Sequence, residues 1–199
     1  MNSVLLISVI VLWVLVAGLA LTVLALARQV GVLHERIAPA GALMVSGGPK
    51  VGARAPQLMV SDIDGNDVEV GGARESGMSE LLFFLSPTCP VCKTLLPALK
   101  SARQSEKDWL SIVLASDGDA ASQRAFIDEY ELNDFPYVLS TDLGMTFEVG
   151  KLPFAALIDQ DGILVSKGLV NSREHIESLF EAKESGFASV QKYIGAQDR

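Results

Sequence analysis

Leu81-Leu82-Phe83-Phe84-Leu85-Ser86-Pro87-Thr88-Cys89-Pro90-Val91-Cys92-Lys93 decides how this chain folds. The unbroken apolar run from Leu81 to Leu85 is what a strand buried on both faces requires. It leads through Ser86-Pro87-Thr88 to Cys89, after which Leu95, Leu96, Leu99 and Ala102 recur at helical spacing. Cys89 therefore stands where a strand gives way to a helix, beside unsatisfied N–H groups and the positive end of the helix dipole, which favours its thiolate. Pro90 fits the first helical position, where no N–H is needed. Cys92 follows less than one turn later, close enough for the two sulfurs to join.

The chemistry this allows is dithiol–disulfide exchange. An exposed Cys89 forms a mixed disulfide with a partner, and Cys92 resolves it by closing the intramolecular bond. Lys93 adds a nearby positive charge that would lower a thiol pKa as a minor effect. Half a zinc site is the bland reading of the same pair, but it needs two more ligands. Outside the pair only His34, His175 and carboxylates are on offer. Two unrelated buried thiols would not need a proline between them at a strand-to-helix junction.

Outward from this motif the pattern stays α/β. Towards the N-terminus, Leu58-Met59-Val60 and Val68-Glu69-Val70 flank Asp64-Gly65-Asn66, which predicts a β-hairpin. Towards the C-terminus, Ile112–Ala115 reads as a second buried strand and Ala121–Leu132 as a second helix. Phe154–Ile158 and Ile163–Ser166 then form two strands joined by Asp159-Gln160-Asp161-Gly162, and a last helix over Glu174–Ala182 is capped by Asn171 or Ser172. A βαβα half followed by a ββα half makes a central mixed sheet covered by helices. Pro153, just before a strand, is awkward unless it makes a special turn; a cis peptide and an ordinary trans proline are both open there.

The N-terminus reads differently. No charged side chain occurs from Asn2 to Ala27, and Val4–Leu26 is long enough to cross a hydrocarbon core of about 30 Å as a helix. A cleaved signal peptide would carry a basic start and a shorter apolar run, so a retained anchor is expected. Gly31, Pro39, Gly41, Gly47, Gly48 and Pro49 accumulate after it. The expected organisation is an anchor over 1–28, a stem and linker over 29–50, and a domain over 51–199. Arg28 and Arg36 cast a weak vote for a cytoplasmic C-terminal side. Redox chemistry argues the reverse and is given the greater weight.

The 199 residues, 49% of them hydrophobic, exclude disorder as the main state, and the formal charge of −8 without a basic run excludes a nucleic-acid partner. With only two cysteines, the chain is no disulfide-stapled scaffold. No repeat, cofactor-binding residue or metal site is apparent, and no cofactor is expected.

Strand, Cys-Pro-x-Cys, helix, and a later proline before a β-hairpin resemble the thioredoxin fold, in particular its membrane-anchored bacterial branch related to peroxiredoxins. Val51-Gly52-Ala53-Arg54-Ala55-Pro56 is similar to that branch's Val-Gly-x-x-Ala-Pro opening. The whole pattern, from uncharged span through Ser86–Lys93 to Leu152-Pro153-Phe154, resembles the MauD family of methylamine utilisation proteins. The resemblance implies a thioredoxin-fold domain, preceded by one transmembrane helix and held at the inner membrane on the periplasmic side. It implies Cys89 and Cys92 as the redox pair and Pro153 as a cis-proline that positions a client strand. The implied client is the methylamine dehydrogenase small subunit, which is exported and rich in disulfides, and a multi-spanning membrane redox protein is a further implied partner. Two departures stand out: Thr88 replaces the aromatic before the first Cys, and Phe83 replaces a buried acid six residues before it. Proton transfer to or from Cys92 must then use another group or water, Asp117 being one candidate. Ser86 three before Cys89 also departs from the peroxiredoxin Thr-x-x-Cys pattern. The competing functions are a reductant for cytochrome c maturation and a non-catalytic export or assembly chaperone.

Overall fold

The computed structural model describes residues 2–36, 47–74 and 77–185, excepting the side chains at 2, 4, 6, 14, 24–36 and 184–185. The chain divides into two compact units, 1–40 and 41–199. The described residues of the first form one helix, α1 (Asn2–Arg36), which runs eight residues past the expected end of the anchor. Its described side chains extend with gaps from 3 to 23, and Leu5, Ile7, Trp13, Leu19 and Leu21 among them are exposed. Among the described residues no helix is long and apolar enough to cross a membrane. Most of the expected linker, 37–46, and the side chain of His34 lie outside the described residues.

The second unit begins its packing before Val51. Gly47, Gly48 and Pro49 are half-buried, and Lys167 Nζ donates to the carbonyl oxygen of Gly47. The hairpin follows as β1 (Leu58–Ser61) and β2 (Asp67–Val70), paired antiparallel. Asp62 Oδ1 accepts from the N–H groups of Asp64 and Asn66, and Gly65 takes the left-handed conformation at φ 87°, so this turn is built by the residues that announced it.

The main sheet has the order β5-β4-β3-β6-β7. Its centre is β3 (Ser79–Phe84), buried at every position, parallel to β4 (Leu110–Ser116) and antiparallel to β6 (Phe154–Ile158). A short β5 (Tyr137–Leu139) extends the parallel side, and β7 (Leu164–Leu169) closes the antiparallel side. Among the described residues of the unit the helices are α2 (Pro90–Ser105), α3 (Ala120–Glu129), α4 (Thr141–Thr146) and α5 (Arg173–Ser185). The mixed sheet flanked by helices is the expected architecture. The expected βαβα-ββα order is corrected, because β5 and α4 stand between the halves.

Alternation along the strands splits the interior into two cores. Leu81 and Phe83 of β3 pack with Leu95, Leu96 and Leu99 of α2 and with Ile176 and Leu179 of α5. Leu82 and Phe84 point the other way, onto Val60 and Val70 of the hairpin and onto Leu143 and Phe147. Ser172 caps α5, its Oγ accepting from His175 N–H at 3.4 Å.

Candidate functional site

The site forms where β3 ends. Leu85 N–H donates to the carbonyl of Ala115, so the chain stays in the sheet up to Leu85, and Cys89 N–H then donates to the carbonyl of Ser86, closing a tight turn. Ser86 Oγ and Thr88 Oγ1 are 3.0 Å apart and Thr88 N–H donates to Ser86 Oγ, so the hydroxyls secure that turn from within. Ser86 therefore braces the loop, in keeping with its mismatch to a peroxidase pattern.

Cys89 is the N-cap of α2. Its backbone is extended at φ −87° and ψ 109°, and its Sγ accepts from Cys92 N–H at 3.2 Å. A sulfur at this place faces the unpaired N–H groups of the first turn, which stabilise negative charge on it. Pro90 occupies the first helical position. Cys89 and Cys92 are joined as a disulfide with Cα atoms 5.3 Å apart. The two sulfurs are unequal: Cys92 is fully enclosed at 0% exposure, whereas Cys89 is half-buried and packs against the edge of the core. The expectation of an exposed Cys89 is corrected to that extent, because the turn folds it back onto the core.

Lys93 Nζ lies 5.7 Å from the centre of the Tyr130 ring, on the residue that ends α3, within reach of its π-face.

The peptide bond between Leu152 and Pro153 is cis. Pro153 is buried, and its carbonyl accepts from Val170 N–H at 3.0 Å, which ties the start of β6 to the end of β7. Phe154 pairs with Phe84, so Pro153 stands at the same end of the sheet as Cys89. Val91 at 39% and Leu152 at 38% exposure are the large apolar side chains next in sequence to Cys92 and Pro153.

Asp117 is exposed, and its carbonyl accepts from Gln123 Nε2 at 2.6 Å. Among the described residues no hydrogen bond joins it to either cysteine. Phe83 is fully buried in the core that holds Cys92. His175 is half-buried on the first turn of α5, where its Nδ1 accepts from Asn171 N–H at 3.4 Å. Among the described residues no group of three or more His, Cys, Asp or Glu side chains could hold a metal ion.

A buried charge that the sequence reading missed is Glu80, near the opposite end of β3 from Cys89. Its side chain is 1% exposed and accepts from Arg74 Nη2 and from Gly71 N–H. Burial raises its pKa above the ordinary glutamate value of 4.5, while the Arg74 guanidinium and the Gly71 N–H oppose that shift. Tyr137, whose hydroxyl donates to Gln123 Oε1 at 2.5 Å, is pushed up to about 12 by burial. Glu80 has the strand parity of the core opposite Cys92, whereas Tyr137 shares the core of Cys92 with its hydroxyl bonded to Gln123.

Known proteins give this geometry its context. The Redoxin family matches residues 50–183. The methylamine utilization protein MauD of Paracoccus denitrificans is 44% identical over 199 residues, covering 100% of this chain and 98% of its own. The thiol-disulfide oxidoreductase ResA of Bacillus cereus is 30% identical over 137 residues, covering 66% of this chain and 78% of its own. Among solved structures, MTB dsbF in its mixed oxidized and reduced forms superposes with a TM-score of 0.54 at 22% identity, over 63% of this chain and 95% of that one, which shows the thioredoxin-like fold. With a redoxin domain over residues 50–183 and full-length similarity to MauD, the chain belongs to the MauD family of thioredoxin-like thiol–disulfide oxidoreductases.

Proposed function

We propose that this protein performs thiol–disulfide exchange in methylamine utilisation, acting on the exported small subunit of methylamine dehydrogenase during its maturation. The observation that carries this is the unequal Cys89–Cys92 pair at the N-terminus of α2, one sulfur reachable and one enclosed. Cys89 is the attacking thiolate, favoured by the Cys92 N–H and the open end of the helix. A partner disulfide takes the electron pair of Cys89. One partner sulfur leaves as a thiolate and the other stays bound to Cys89. Cys92 then attacks Cys89, the second partner sulfur leaves, and the pair is oxidised while the partner is reduced. Run backwards, the same steps oxidise a partner dithiol.

Pro153, with the exposed Leu152 before it, positions an extended segment of the client beside Cys89. Such a segment gains affinity from main-chain hydrogen bonds and apolar contact without needing one fixed sequence. Val91 adds apolar surface at the helix start.

The apolar stretch of α1 anchors the protein. The reading rests on the sequence, where residues 4–26 carry no charge and number enough, at 1.5 Å per helical residue, for a hydrocarbon core of about 30 Å. A single-pass anchor in the inner membrane with the redox domain on the periplasmic side brings the pair to a compartment where disulfides form. A multi-spanning membrane protein then restores its redox state. The second reading is a periplasmic reductant for cytochrome c maturation; similarity to the thiol-disulfide oxidoreductase ResA is compatible with thiol–disulfide exchange on a client other than the dehydrogenase.

Trapping separates the two. With Cys92→Ala, a mixed disulfide on Cys89 has no resolver. The expected result in cells growing on methylamine is one dominant adduct containing the dehydrogenase small subunit. A spread of exported proteins, cytochromes among them, would establish the second reading. No adduct from a folded variant would refute exchange and leave an assembly chaperone.

A further inference from the structure

A second recessed surface lies towards the far end of α2 from Cys89. There the outer side of the helix, the first half of β4 and the stretch from Glu131 to Pro136 line an open cavity of about 840 Å³. Although the chain carries a net charge of −8, the α2 wall of this cavity presents Lys100 and Arg103, and Lys107 adds a third cation just past the helix end. Arg103 stands fourteen residues beyond Cys89, about 21 Å along a helix at 1.5 Å per residue. The cavity is thus well away from the redox pair.

One side of the cavity is the edge of a strand. β5 pairs with β4 from Leu114 onwards, where Leu114 N–H donates to the Pro136 carbonyl at 2.9 Å. Ile112 has the parity of Leu114, so its N–H and C=O point to the same side. The next rung of that parallel ladder would run from the N–H of residue 136 to the Ile112 carbonyl, and a proline has no N–H to give. Pro136 therefore ends the ladder, and Ile112 turns main-chain polar groups towards the cavity it lines. Such an edge is a template for another extended chain. Beside it, Arg103 Cζ lies over the Phe135 ring, 5.3 Å from its centre, which leaves the N–H edge of the guanidinium for a carboxylate. Across the mouth, Glu131 is 3.5 Å from Lys100 and Asp134 is 3.8 Å from Arg103, with the two acidic side chains 89% and 81% exposed. Pairs this exposed contribute little, so an incoming carboxylate displaces them readily.

We propose that this cavity docks an acidic, extended segment of a partner protein, which adds to the edge of β4 at Ile112 and sets its carboxylates against Lys100, Arg103 and Lys107. Alternate side chains of an extended chain lie about 7 Å apart, a spacing that long side chains three and four positions apart on α2 and its extension can meet. Acids at every second residue therefore face successive cations. A free anion would use the cations and leave the strand edge idle, whereas a peptide gains from both. A nucleic acid would meet Glu131 and Asp134 at the rim and the repulsion of the net negative chain. Docking is independent of the exchange reading. Where both hold, a partner tethered here reaches Cys89 at a raised effective concentration, and the cavity takes no part in the sulfur chemistry.

The test uses the full chain in mild nonionic detergent and a fluorescein-labelled peptide of alternating glutamate and threonine, six residues long, followed by anisotropy at low salt. Saturable binding is expected. Arg103→Ala should weaken it about tenfold, and so should raising the salt to about 0.3 M. Replacing Glu131 by Gln and Asp134 by Asn together should tighten it, because the competing carboxylates are gone. Methylating the peptide nitrogens at alternate residues should abolish binding in one of the two alternations, the one that removes the donor to the Ile112 carbonyl. No saturable binding, equal binding by Arg103→Ala, or equal binding of the lysine–threonine analogue would overturn the proposal. So would displacement by equimolar inorganic phosphate together with indifference to methylation, which would mark a plain anion site. Reaction of the reduced protein with dithiobis(nitrobenzoate) reports the cysteines separately. A chain that docks the peptide while its folded thiols stay inert would refute exchange and support docking.

Discussion

Replacing Arg74 by Met tests how the hairpin is fastened to the strand that carries the site. Arg74 Nη2 donates both to the carboxylate of Glu80 and, at 3.1 Å, to the carbonyl of Glu69, so it joins the end of β2 to the start of β3. Breaking a buried ion pair costs about 3–5 kcal/mol, because the remaining charge is left without a partner. Here the Arg74 side chain is 26% exposed and Glu80 keeps its bond from Gly71 N–H, so the expected loss at neutral pH is about 2 kcal/mol. For a domain of this size that lowers Tm by about 4–8 °C.

The loss is pH-dependent, with a definite sign. Glu80 has a native pKa raised above its ordinary value of 4.5, so between those two values the native state binds more protons than the unfolded chain. Stability contributed by this group is therefore fully present below the unfolded value and falls as pH rises towards the native one. Without Arg74 the native value rises further and the window extends upward. The penalty of Arg74→Met is thus greatest at neutral pH and shrinks below about pH 4.5, where only a lost hydrogen bond of about 1 kcal/mol remains. Urea unfolding followed by Trp109 fluorescence, in a Trp13→Phe background, measures this at both pH values. A loss under about 0.5 kcal/mol at neutral pH, or one that does not change with pH, refutes the reasoning.

Leu99→Ala removes a side chain that is 1% exposed on the buried face of α2, and should cost about 3 kcal/mol in the same unfolding assay, with exchange retained in the folded fraction. Asp119 caps α3, its Oδ2 accepting from Ser122 N–H at 2.9 Å, and these bonds hold its pKa below the ordinary 3.8. Asp119→Ala should therefore lower stability at neutral pH, and the difference from wild type should fade as pH falls through the native pKa of Asp119, below 3.8.

The elements that sequence reading recovered are those with long, consistent signals. Residues 81–85 could only be a buried strand, the spacing from Leu95 to Ala102 only a helix, and the Asp-Gly turns fixed two hairpins. Pro97 lies inside α2, where a proline removes a ladder donor, yet the buried Leu95, Leu96, Leu99 and Ala102 hold the helix across it. What escaped was short. Tyr137–Leu139 has three residues, too few for a period, and Thr141–Thr146 carries Gly144 within a single turn and a half.

Side-chain partners formed the other gap. Cys89 and Cys92 were legible because the helix start and the spacing dictate them. The placement of Lys93 over Tyr130 depends on α3 arriving beside α2, which no local pattern records. Glu80 sits at the edge of an apolar run, where a charge marks either a strand end or a buried pair. Only the fold brings Arg74 and Gly71 to it.

The central claim is that Cys89 exchanges and Cys92 resolves. Incubating the reduced chain with glutathione disulfide, quenching with acid at successive times and mapping the peptides tests it most directly. The expected sequence is glutathione on Cys89 alone, followed by its replacement with the Cys89–Cys92 bond. Glutathione carried first by Cys92, or two inert thiols in folded protein, would contradict the account.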